Sequence, residues 1–295
     1  MTPSPDSFDV LAIAAHRDDV EQTCGGTLLK MAEHGHRTGI LDLTQGELGT
    51  RGTAEERAAE AADAARILKV SWRQALDIPD GRVENTWENR LKIMRVLRAQ
   101  RPRVVILPYW KGRHPDHYTT ATLGYEACFL AGLSKLDVES ALAASHSERP
   151  LPEARRAEAL SEAEGEEPAS EGHDFSRAEK LQGKKGALAP EGNLPPHRPF
   201  KIVYASLYHD VRPTFVVDIT AQFEARLQSI FAYKSQFTDQ EAGRGDFPAH
   251  DDIRDRVAAM ARFYGMMAGV KYAEPFVQKE VGLVDDLTAL PVKSI

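Results

Sequence analysis

The stretch Ala15-His16-Arg17-Asp18-Asp19-Val20-Glu21 directly follows a short apolar run, Val10 to Ala14, and a second cluster, His114-Pro115-Asp116-His117, lies just beyond another, Val104 to Leu107. Each cluster alone would pass as a polar turn at the start of a helix, because short motifs recur by chance. Together they offer imidazoles and carboxylates at two strand ends, and open α/β sheets bind ligands at the carboxyl ends of their strands. His16, Asp19 and His117 can then meet at one point. Two neutral imidazoles and one carboxylate suit a catalytic zinc, which keeps three protein ligands and leaves a position for water. The net charge of about +1 leaves such an ion electrophilic.

Amide hydrolysis at that ion also needs a base for the water's proton and an acid for the leaving amine. Asp18 and His114 sit immediately beside the ligand candidates. Adjacent aspartates in a loop can point in different directions, so Asp19 can bind metal while Asp18 faces the water. If Pro115 opens a helical turn, His114 and His117 share a face. His117 is then a metal ligand, and His114 is left for the oxyanion or the leaving group. Asp116 and Glu21 are candidates to orient the ligand imidazoles from behind. Competing chemistries lack their signatures: the chain has no G-x-S-x-G elbow, no G-x-x-x-x-G-K-[ST] loop and no H-E-x-x-H.

The elements that must position these residues alternate along the chain. Strands are expected at Val10 to Ala14, Thr38 to Leu43 and Val104 to Leu107, and helices at Gly26 to His34, Ala54 to Leu68, about Asn85 to Gln100 and Tyr118 to Ala131. Strand-helix alternation implies parallel pairing with crossover helices. The fold class is therefore α/β, a Rossmann-like, mostly parallel sheet with helices on both faces. Further strands are expected at Lys201 to Ala205 and Thr214 to Val217. Thr220 can cap a helix with Phe223, Leu227, Ile230 and Phe231 on one stripe, and a last helix spans about Asp252 to Gly269. We read residues 1–295 as a single domain. Met1 to Asp9 reads as a frayed tail, and 139–196, rich in charge, Gly and Pro, as an insertion or mobile loop.

Composition narrows the partners. The 295 residues carry a net charge of −7 and no basic face stands out, which argues against nucleic acid. No apolar run approaches the roughly 20 residues that span a bilayer, and the N-terminus lacks the regions of a secretory signal. Cys24 and Cys128 are the only cysteines, too few for a disulfide framework, which fits a cytoplasmic protein. A small-molecule substrate is expected, and a homo-oligomer remains open.

The clusters resemble the LmbE/PIG-L deacetylase family, whose signature is A-H-P-D-D near the N-terminus and H-P-D-H later. Four further stretches, LDLTQGELGTRGTAEERAAEAADAARIL, VVILPYWKGRHPDH, PTFVVDITAQFEARLQSIFAYKSQF and RFYGMMAGVKYAEPF, resemble its bacillithiol-biosynthesis branch. That branch removes acetate from N-acetylglucosaminyl-malate. The resemblance implies zinc on His16, Asp19 and His117, Asp18 as general base and His114 supporting the tetrahedral intermediate. It also places Arg57 and Arg198 at substrate-contact positions. Two departures stand out: Arg17 replaces the family's proline, and the charged insertion is long. Arg17 adds a cation that can favour an anionic aglycone. The expected function is a zinc-dependent N-deacetylase acting on a small N-acetylglucosamine glycoside, most simply N-acetylglucosaminyl-malate. The alternatives are another deacetylase or amidase of the family, acting on a chitooligosaccharide, antibiotic precursor or thiol conjugate, and a metal- or sugar-binding module without turnover. Binding alone would need neither Asp18 nor His114.

Overall fold

The computed structural model of the protein describes residues 7–147, 194–206, 211–237 and 250–292. Its strands are β1 (Val10–Ala14), β2 (Thr38–Asp42), β3 (Trp72–Ala75), β4 (Val104–Pro108), β5 (Lys201–Ala205), β6 (Phe215–Asp218) and β7 (Ala273–Val277). They form one seven-stranded sheet in the order β3-β2-β1-β4-β5-β7-β6. β3 through β5 pair in parallel, whereas β7 runs antiparallel to both β5 and β6. From β1 the chain winds outward through β2 to β3, and β4 starts the opposite half. β1 and β4 are therefore neighbours at the point where the winding reverses, and a crevice opens at their carboxyl ends.

β1 is buried throughout because both faces of the sheet are covered. Leu11 and Ile13 join the core on one face, and Val10, Ala12 and Ala14 join that on the other, as a period of two requires. The helices are α1 (Asp19–Thr23), α2 (Gly25–Glu33), α3 (Ala54–Ile67), α4 (Trp87–Gln100), α5 (Pro115–Ala131), α6 (Val138–Ser147), α7 (Phe223–Phe231), α8 (Lys234–Phe237) and α9 (His250–Ala268). α3 begins with a capping box, in which the Thr53 side chain accepts from the Glu56 N–H and the Glu56 side chain accepts from the Thr53 N–H. No helix among the described residues is long and apolar enough to cross a membrane.

Several local expectations change. Of the tail expected at Met1 to Asp9, residues 1–6 lie outside the described residues, and Phe8 does not fray: it is 2 % exposed and packs 5.9 Å from Trp72. Residues 148–193 of the expected insertion lie outside the described residues, but both its flanks belong to the core. Val138 and Leu142 of α6 are buried, as is Leu194, and the His197 N–H donates to the Ala131 carbonyl. Thr220 does not cap α7, whose N-cap is Gln222. Its hydroxyl instead donates to Asp218 and accepts the Tyr272 N–H, which ties the end of β6 to the start of β7.

Candidate metal centre and active site

The chain leaves β1 at Ala14 and presents His16, then Asp18 as the N-cap and Asp19 as the first residue of α1. It leaves β4 at Pro108 and presents His114 and His117 around the start of α5. His114 is the N-cap of α5 and Pro115 its first residue, so His117 falls one turn in. These segments converge in the crevice. His16 Nδ1 lies 3.2 Å from His117 Nε2 and 3.3 Å from Asp19 Oδ2, while His117 Nε2 lies 3.2 Å from Asp19 Oδ1. Metal–ligand bonds of about 2.0 Å at tetrahedral angles place donor atoms about 3.3 Å apart, so these pairwise separations, which reach the two oxygens of Asp19, suit a zinc site. The donor set fits the metal.

The other nitrogen of His16 is also engaged. Nε2 lies 3.1 Å from Asp80 Oδ1 and 3.3 Å from Asp116 Oδ2. Asp116 is fixed in turn by the N–H groups of Gly81 at 2.8 Å and Val83 at 3.2 Å, and Asp80 by that of Leu48 at 3.1 Å. Carboxylates behind a ligand imidazole set its tautomer and raise its basicity. Asp116 thus stands where expected. Asp80 was not anticipated, because it follows β3, a four-residue strand with no apolar run to mark it. Glu21 does not join this group; it turns to Arg73 at 2.6 Å.

Burial alone would lower the pKa of His16, but the carboxylates of Asp19, Asp116 and Asp80 push it up to about 12. Burial would raise that of Asp19, but His117 and His16 hold it well below the usual carboxylate range. Asp18 is raised, by burial and by the neighbouring Asp19 charge, against the pull of Arg57. His114 is lowered, by burial and by the two other imidazoles. Its Nδ1 accepts the Asp116 N–H at 3.2 Å, so the single proton of the neutral ring resides on Nε2. A ligand-type nitrogen of His114 lies within 4.8 Å of those of His16 and His117.

The arginines go elsewhere than expected. Arg57 is buried at 4 % exposure and clamps Asp18, with Nη2 3.3 Å from Oδ1, while its Nη1 donates to the Gly46 carbonyl. Gln22 Nε2 holds the other Asp18 oxygen at 3.2 Å. Arg17 is likewise buried, and its guanidinium donates to the Ala54 carbonyl at the start of α3. Arg198 is far from the crevice. It stacks on Phe129 and donates to the Phe129 carbonyl, about 18 Å beyond His117 along α5 by the helix rise. Neither Arg17 nor Arg198 is placed to grip a substrate carboxylate.

Beside the His16–Asp19–His117 cluster a cavity of about 30 Å³ is lined by Ala14, Val20, Ile106, Leu107 and Ala205 and by the polar Asp19, His117 and Lys111. That is room for a methyl-sized group.

The family model for PIG-L, GlcNAc-PI de-N-acetylase, matches residues 11–128, the stretch from β1 through most of α5 that carries both clusters. The conserved protein TT1542 from Thermus thermophilus is similar in structure at a TM-score of 0.69 and 34 % identity, over 94 % of this chain and 98 % of that one. The diacetylchitobiose deacetylase of Thermococcus kodakarensis is 27 % identical over 92 % of this chain and 83 % of its own. The N,N'-diacetylchitobiose deacetylase of Pyrococcus horikoshii, 23 % identical, shares the fold at a TM-score of 0.66, over 92 % of this chain and 83 % of that one. With that match spanning both clusters and 34 % identity to TT1542 over nearly the whole of both chains, the chain belongs to the PIG-L/LmbE deacetylase family.

Proposed function

We propose that this deacetylase hydrolyses the acetamide of a small N-acetylglucosamine derivative, with zinc on His16, Asp19 and His117, Asp18 as general base and His114 as donor to the reacting carbonyl. The observation that carries this reading is the set of 3.2–3.3 Å separations among His16 Nδ1, His117 Nε2 and the two oxygens of Asp19, next to a carboxylate of raised pKa. A divalent ion held there supplies the acidity that water needs to attack and polarises the amide carbonyl. Asp18 accepts the water's proton. Its raised pKa makes it a stronger base than an exposed carboxylate, and Arg57 with Gln22 fixes its direction. The Nε2–H of His114 donates to the oxygen that becomes negative, and the small apolar cavity accommodates the acetyl methyl group. As the C–N bond breaks, the proton collected by Asp18 passes to the leaving amine, giving acetate and a free glucosamine.

The resemblance to the bacillithiol branch favours N-acetylglucosaminyl-malate, and the exposed cation Lys111 at the cavity suits its carboxylates. The match to a diacetylchitobiose deacetylase over most of the chain favours a neutral disaccharide instead. Acetate release by zinc-loaded protein from N-acetylglucosaminyl-malate, diacetylchitobiose and free N-acetylglucosamine decides between them. We expect the malate glycoside to be preferred; a higher kcat/KM on diacetylchitobiose would establish the second reading. Asp18→Asn should keep its zinc and lose about two or more powers of ten in kcat. Undiminished turnover in that variant would remove Asp18 as the base.

A further inference from the structure

The Arg17 carbonyl belongs to the peptide that carries Asp18, and it is held from two remote elements. Arg73, on the edge strand β3, donates to it through Nη2, and so does the hydroxyl of Tyr233, which lies just beyond α7. Tyr233 is fully buried, and the other hydrogen-bond partner of its hydroxyl among the described residues is Glu21 Oε1 at 3.4 Å. Every N–H of the Arg73 fork is engaged. Nε and Nη2 grip the two oxygens of Asp42 at 2.8 and 3.0 Å, and Nη1 reaches Glu21 at 2.6 Å and the Ala61 carbonyl at 3.4 Å. The remaining Nη2 proton goes to Arg17. A guanidinium satisfied on all sides has one orientation, and a lysine could not reproduce it.

The peptide unit is planar, so fixing the Arg17 oxygen fixes the nitrogen and Cα of Asp18 as well. From that Cα the carboxylate meets Arg57 Nη2 and Gln22 Nε2. Catalytic groups displaced by even about 1 Å lose much of their effect. We propose that Arg73 and Tyr233 are positioning residues, a two-donor clamp on the Arg17 carbonyl that sets the Asp18 carboxylate from outside the active site. This rests on the reading of Asp18 as the general base.

Tyr233→Phe isolates the clamp, because it keeps the buried ring and leaves the carbonyl its bond to Arg73. In zinc-loaded enzyme, assayed on whichever of the three acetamides is hydrolysed fastest, kcat should fall about tenfold while KM stays within about twofold and zinc content is unchanged. In an Asp18→Asn background the same substitution should change the residual rate by less than about twofold, because two groups acting through one step are not additive. A readout without turnover is hydrogen exchange in residues 15–22 of the metal-free protein, which should quicken in Tyr233→Phe while the rest of the chain is unaltered. Arg73→Lys should show the same kcat loss at unchanged KM. Wild-type kcat in Tyr233→Phe, an equal loss in both backgrounds, or unaltered exchange would overturn the clamp. Full turnover in Asp18→Asn alone would instead overturn the assignment of the base.

Discussion

His16 uses both ring nitrogens, one toward His117 and Asp19 and the other against Asp80 and Asp116. As a proposed metal ligand so backed, it should depend on its supports. We expect Asp19→Ala and His117→Ala to lose zinc, and Asp80→Asn to bind it about 10–100-fold more weakly, read by competition with a chelating dye. Unchanged affinity in Asp80→Asn would mean that Asp116 alone orients the ring. That His16, Asp18, Asp19, His114 and His117 come together was legible in the sequence because both clusters follow strand ends of one sheet. Asp80 was not, because the strand before it carries the polar sequence Trp72-Arg73-Gln74-Ala75 and shows no apolar run. Nor was the destination of Arg17 or Arg198. A long cationic side chain finds its partner among tertiary neighbours, here the backbone carbonyls of Ala54 and Phe129.

The loop between β2 and α3 shows how an element's shape supports the site. Gly46 has φ +74°, and a Cβ there would lie 2.3 Å from Arg57 Nη1, so the loop can close over Arg57 only with glycine at this position. Gly46→Ala should therefore lower both Tm and kcat, the latter by displacing the arginine that holds Asp18. Gly35→Ala is the control. Its φ is +85° with nothing within 4 Å, so it should cost about 1 kcal/mol of stability and leave kcat alone. Equal kcat in the two variants would uncouple the loop from catalysis. β7 escaped recognition for a related reason. Glu274 and Pro275 look like strand breakers, but Glu274 is buried and accepts the N–H groups of Gly26 and Thr27 at the start of α2, with Arg226 at 3.0 Å. A buried carboxylate can sit in a strand when a helix N-terminus and a guanidinium compensate it. α6 was hidden inside a polar stretch, yet Leu142→Ala should cost about 2–4 kcal/mol, as a core truncation does, measured by denaturant unfolding.

Across the whole molecule, the sheet order puts β1 and β4 side by side, so two clusters about a hundred residues apart in sequence meet where the winding reverses. The alternation of strands and helices foretold parallel pairing, while the order itself is set by the packing of the crossover helices. Substrate charge preference does not follow from that alternation, because it depends on cations that the fold brings to the crevice against an overall charge of −7. The global field repels an anionic glycoside, while Lys111, exposed at the cavity, attracts it locally. With a screening length of about 8 Å at physiological salt, the near charge outweighs the distant ones. An exposed contact of this kind is worth no more than about 1 kcal/mol, or roughly fivefold. Lys111→Ala should therefore reduce kcat/KM for N-acetylglucosaminyl-malate by up to about fivefold at low ionic strength and by less at high salt, with diacetylchitobiose unaffected at both. Equal losses on the charged and the neutral substrate would show that Lys111 shapes the loop between β4 and α5 rather than reading charge.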